Sequence, residues 1–171
     1  MSSSSMLHQM FSYQAWANKQ FLLTIDQHFG NREIDEAESV TRLMSHCLVV
    51  NKIFAAHLEG RPHGYGKSNV AGAMGIKALG DEMEEVDRWY LNYVSAITPS
   101  LLSEAIHFEF TDGDRGCMTR EEILIHVVTH GGYHRGEVGR LLMQADPTIP
   151  LPWDTFAVYL HQATPDRRAR G

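Results

Sequence analysis

The sequence is short of several things that would point to familiar classes of protein. It has only two cysteines, Cys47 and Cys117, in 171 residues, too few and too far apart for a disulfide framework or a CxxC redox or zinc motif. Two reduced thiols are expected, one of them in a helix core. No apolar run approaches the roughly 20 residues of a membrane-spanning helix, and the serine run between Met1 and Met6 lacks the charged and apolar regions of a signal peptide. A cytoplasmic protein is expected. Basic charge is scarce too: 15 Lys and Arg against 21 Asp and Glu leave a net charge of −6, without the basic face that binding to nucleic-acid phosphates needs. The one basic cluster, Arg167, Arg168 and Arg170, falls in an expected frayed tail over residues 166–171.

What remains is globular. With 43% hydrophobic and 21% charged residues, the chain reads as one domain over residues 1–165, of a size that buries roughly two-thirds of its unfolded surface. Apolar residues recur at three- and four-residue steps in four long segments. The first runs from Leu7 to about Phe29, with Leu7, Met10, Phe11, Ala17, Phe21, Leu22 and Ile25 on its stripe. The second runs from about Glu38 to Glu59 and stops at Gly60, and the third from about Ile76 to Ile97, ended by Pro99. A capping box of Thr119 and Glu122 opens the fourth, which runs to about Ala145.

Between the third and fourth helices, His107 to Cys117 alternates around Asp112-Gly113, which predicts a small β-hairpin. Past Asp146-Pro147 a short helix is predicted from about Trp153 or Asp154 to Gln162. The fold class is therefore all-α, a four-helix bundle whose helix order the long third connection leaves open. Gly60 to Gly75, with five glycines and a proline, is a loop that could lie over a site.

Ten histidines are many for this length. The inward stripe of the fourth helix reads Ile123, Val127, His130, His134, Val138, Leu141 and Ala145, which places two histidines in the core. Residues four apart lie about 40° apart around a helix and about 6 Å along it, so His130 and His134 can offer imidazoles to one ion. A lone histidine on an apolar face is more often a satisfied core residue. Two adjacent ones need partners for four ring nitrogens, and a metal takes one on each ring.

A stable site needs at least a third protein ligand, and His46, near the middle of the second helix, is the candidate. His126 also stands one turn from His130, and spacing alone does not decide whether it replaces His134 or stands behind the ligands. His57 reads as surface or rim, and His8, His28, His63, His107 and His161 have no spacing partner. Gly131 follows His130, so the HExxH peptidase pattern is absent. The one Glu-x-x-His match, Glu104 to His107, lies outside the helices and speaks against a carboxylate-bridged di-iron bundle.

At His46 and over Thr129-His130-Gly131-Gly132-Tyr133-His134-Arg135-Gly136-Glu137, the chain resembles the DinB (DinB/YfiT-like) family of metal-binding helical bundles. Tyr13, Trp16 and Asn18 in the first helix, and Pro150-Leu151-Pro152-Trp153-Asp154 before Tyr159, extend the resemblance. It implies a four-helix bundle, commonly dimeric, with a three-histidine divalent-metal site carried here by His46, His130 and His134, and with His126 outside the ligand set. It also implies relatives that include bacillithiol transferases and a mycothiol-dependent maleylpyruvate isomerase.

Three neutral imidazoles leave an ion doubly positive with open positions, as in catalytic zinc sites. The leading expectation is one divalent ion per chain, zinc or nickel first, serving transfer of a low-molecular-weight thiol to an electrophilic small molecule. The alternatives are a small-molecule hydrolase using metal-bound water and a non-catalytic homodimeric metal-binding protein. No catalytic side chain is assigned. A homodimer is expected, with Phe11, Tyr13, Ala15, Trp16, Phe21 and Leu22 of the first helix as its candidate interface.

Overall fold

The computed structural model describes residues 3–30, 35–68 and 74–167. Its elements are α1 (Ser3–Phe29), α2 (Asp35–Glu59), α3 (Ile76–Ala96), a one-turn α4 (Pro99–Leu102), β1 (Ala105–Glu109), β2 (Arg115–Thr119), α5 (Arg120–Ala145) and α6 (Phe156–Ala163). The expected four-helix architecture is present, and none of the described helices is long and apolar enough to cross a membrane. Around the bundle the long helices are neighbours in the order α1, α3, α2, α5. The order left open by the sequence thus resolves with α2 beside α5, the two helices that carry the candidate ligands.

Local chemistry sets the ends. Gly60 has φ 68°, and the bonds Gly60 N–H to the His57 carbonyl (3.1 Å) and Arg61 N–H to the Ala56 carbonyl (3.0 Å) cap α2. At the start of α5, Glu122 N–H donates to Thr119 Oγ1 (3.2 Å) and Thr119 N–H donates to Glu122 Oε2 (2.7 Å), the expected capping box. The hairpin pairs His107 with Cys117, but its strands reach Ala105 and Thr119, two residues further each way. Its connection is wider than an Asp-Gly turn: Phe110 N–H reaches the Asp114 carbonyl (2.8 Å), and Gly113 takes φ 94° inside that loop.

Other boundaries differ from expectation as well: α1 and α2 begin earlier, at Ser3 and Asp35. Pro99 does not merely follow α3; it opens α4 at the helix position where its missing N–H costs nothing. α6 begins at Phe156 behind Thr155, whose Oγ1 accepts from Val158 N–H (3.3 Å), because Asp154 is engaged elsewhere. Asp166 and Arg167, expected in the tail, close a 3-10 turn over Pro165–Arg167. Residues 168–171, with Arg168 and Arg170, lie outside the described residues, as do Met1 and Ser2.

The core is filled by Phe11, Phe21, Ile25, Met44, Leu48, Leu79, Met83, Tyr90, Ile123, Leu124 and Leu142. Of the six α1 residues read as interface candidates, Phe11, Tyr13, Phe21 and Leu22 are buried within the chain, and only Ala15 and Trp16 are half-exposed.

On α5 the buried stripe is turned from the expected one. Its centre is Gly131, Arg135, Val138 and Leu142, while His130, His134, Leu141 and Ala145 lie half-buried on its shoulder. The physical reason is a guanidinium at the bundle's centre. Arg135, 0% exposed, donates from Nε to Asp154 Oδ2 (2.8 Å) and from Nη1 to Asn18 Oδ1 (3.0 Å). Tyr13 Oη also donates to Asp154. A Cβ on residue 131 would stand 3.0 Å from Arg135 Nη1 and 3.2 Å from Gln14 Oε1, so glycine there makes room for the buried cation.

Candidate metal centre

Placing His130 and His134 on the shoulder of α5 turns them toward α2, where His46 meets them. One ligand atom from each of the three rings lies within 4.8 Å of the others, a group that could hold a metal ion. The nearest approach is His46 Nε2 to His130 Nε2, 3.2 Å. A tetrahedral ion about 2.1 Å from each nitrogen would set them about 3.4 Å apart, close to this nearest approach.

The partners of the other nitrogens fix which atoms face inward. His46 Nδ1 lies 3.2 Å from the Ser68 carbonyl, an acceptor only, so Nδ1 carries the proton and Nε2 a bare lone pair. His134 Nδ1 is likewise bound to Glu137 Oε2 at 3.0 Å. His130 Nδ1 is buried with no hydrogen-bond partner. Lone pairs aimed at one another are unfavourable unless a proton or a cation lies between them, and a divalent cation answers all three rings at once.

Burial first, and then the neighbouring His134, His46 and His126, push the His130 pKa down to about 3, so this ring is neutral, as ligation requires. The sign of the consequence follows. A base whose folded pKa lies below its ordinary value of 6.5 contributes stability above pH 6.5 and loses it as pH falls toward 3. In metal-free protein the urea midpoint should therefore drop from pH 7 to 5, and His130→Gln should flatten that slope. Equal slopes in the two proteins would contradict a neutral, buried His130.

The remaining histidines fall elsewhere. His126 packs against Phe54 in a tilted arrangement, with ring centroids 4.8 Å apart, and its ring lies 5.4 Å from that of His130, outside the group of three. His57, read as surface or rim, is half-buried against Phe108, and His107 faces Cys117 on the hairpin, 4.0 Å from its Sγ. Cys47 follows His46 but points into the core, where burial pushes its thiol up to about 12. It offers no thiolate near neutral pH.

Two contributors had no sequence assignment. Glu137 had a visible signal, a carboxylate three residues after His134 on the same helical face. The Ser68 carbonyl had none, because any residue type supplies a backbone oxygen. It does bring the Gly60 to Gly75 loop against the cluster, as the glycine content suggested; residues 69–73 of that loop lie outside the described residues.

Four long helices with three imidazoles converging between two of them define a helical-bundle protein with a candidate divalent-metal centre. The chain belongs to the DinB family, whose sequence profile matches residues 1–166. Among curated proteins none matches it.

Proposed function

We propose that the protein is a metal-dependent transferase that joins a low-molecular-weight thiol to an electrophilic small molecule. The observation that carries this reading is the donor set: three neutral nitrogens, with no fourth His, Cys, Asp or Glu in the group among the described residues. Such a set leaves coordination positions open. His46, His130 and His134 would hold the ion, zinc or nickel; bound there, it supplies Lewis acidity that lowers the pKa of a thiol and keeps its sulfur nucleophilic near neutral pH.

The chain's own part is to fix and shield the site. The Ser68 carbonyl and the Glu137 carboxylate hold His46 and His134 in the tautomer with Nε2 inward. Glu137 is engaged with His134 and so serves to orient that ring. In the reaction the thiol sulfur forms a bond to the electrophilic carbon, the leaving group departs with the bonding pair, and the thiol proton passes to solvent.

A homodimer in the cytoplasm belongs to the same proposal. Exposed Ile125, Tyr133 and Met143 share a sector of about 80° on α5 and offer apolar surface, whereas Phe11, Tyr13, Phe21 and Leu22 of α1 are buried within the chain. Light scattering at micromolar concentration should give twice the chain mass.

The test is metal-loaded protein screened against thiol and electrophile pairs. Thiol consumption should require the electrophile, stop with a chelator and return with zinc or nickel. Turnover of esters or amides without thiol would select a hydrolase. Inactivity in both panels, with metal-dependent melting, would select a non-catalytic protein.

A further inference from the structure

Away from the histidines, α1 and α3 leave a groove of about 600 Å³ between them, within the range of small-molecule sites. Trp16, Leu22 and Leu23 from α1 face Ile76, Met83 and Leu91 from α3 across it. Gly80 opens its wall, since a Cβ there would meet nothing within 4 Å. One buried polar group also lines it: the Asp87 carboxylate, only 5% exposed.

The charges around Asp87 do not balance. Asn18 Nδ2 donates to both its oxygens, at 3.1 and 3.0 Å, and no described cation touches it. The nearby guanidinium of Arg135 is bound to Asp154, and Asn18 stands between Arg135 and Asp87. Of the groove's other charged residues, Lys77 is paired with Asp81 (3.0 Å) and Arg88 with Glu84 (3.4 Å) along α3, while Lys19 and Asp26 are exposed. A buried carboxylate that meets one amide must take up a proton or a cation.

We infer that this groove binds a small organic ammonium carrying an apolar group, its nitrogen on the Asp87 carboxylate and its hydrocarbon between Trp16, Leu22 and Met83. The ammonium supplies both the missing charge and the missing donors. A neutral apolar molecule supplies neither, and an anion would face the unpaired Asp87 carboxylate. Burial holds the Asp87 carboxyl up at about 7, so near neutral pH a proton is readily exchanged for an organic cation.

Calorimetry on the full-length, metal-loaded protein tests this with three probes on one arylalkyl skeleton, bearing a primary ammonium, a hydroxyl or a carboxylate. The ammonium should bind at least about tenfold more tightly than the alcohol, as expected for a charge-assisted bond, and the carboxylate should give no heat. Asp87→Asn should abolish the preference for ammonium. Gly80→Leu, which fills the groove without touching the core, should block binding while the melting temperature holds, and so serves if Asp87→Asn does not fold. Chelation should leave ammonium binding unchanged; loss with the metal would place the amine at the histidines and overturn the inference. Equal affinity for ammonium and alcohol, no heat from the ammonium, or binding that survives Gly80→Leu would overturn it as well, the last two fitting a groove closed by a second copy or a site elsewhere.

Discussion

His134→Ala should weaken metal binding well beyond the roughly 10- to 100-fold that follows loss of a residue that only orients a ligand. His126→Ala should stay within that range or below it. Both histidines stand one turn from His130, so helical spacing treats them alike, but the structure does not. The His134 ring lies 4.8 Å from that of His46 and 4.5 Å from that of His130, and Glu137 holds its Nδ1. His126 instead packs on Phe54. Removing His134 leaves two protein nitrogens, whereas removing His126 leaves three. Competition titration with a chelator reads the affinities, and the melting temperatures in parallel should show that added metal stabilises the His126 variant and not the His134 variant. The opposite pattern would make the ligand set His46, His126 and His130.

The largest stability effect is expected at Arg135. Arg135→Met keeps the volume and removes the charge, leaving the Asp154 carboxylate with the Tyr13 hydroxyl and Asn18 Oδ1 without its donor. Breaking one side of a buried ion pair costs about 3–5 kcal/mol. The companion variant Arg135→Met with Asp154→Leu, which removes both charges, should recover much of that loss. Urea denaturation measures both. A loss below about 1 kcal/mol in the single variant would mean that the pair contributes little to the fold.

How far the sequence revealed this structure depended on whether side-chain type carried the information. The four long helices were legible because each repeats its apolar residues over five or more turns and ends in chemistry that leaves a mark, Gly60 for α2 and Thr119 with Glu122 for α5. α4 was not, because four residues carry no period. The phase of α5 was misread for a related reason. Gly131 has no side chain and Arg135 is among the most polar residues, so the two positions that face the centre of the bundle look like its surface; only the partners Asn18 and Asp154, distant in sequence, make burial of that arginine tolerable. The histidine trio was legible because imidazoles at four-residue spacing are rare on an apolar face. The choice between His126 and His134, which spacing left open, rests on what α2 presents to each: Phe54 to one and His46 to the other.

The position of His46 on α2, 84 residues before its neighbour His130 on α5, has a consequence for chain topology. An ion shared by the two helices is a reversible cross-link that closes a loop containing α3, α4 and the hairpin. Its grip depends on that whole span being in place, whereas the His130 and His134 pair lies within one turn and exists as soon as α5 is helical. Metal captured by the pair during folding would act as a staple waiting for α2, and its release would free the join between α2 and α5.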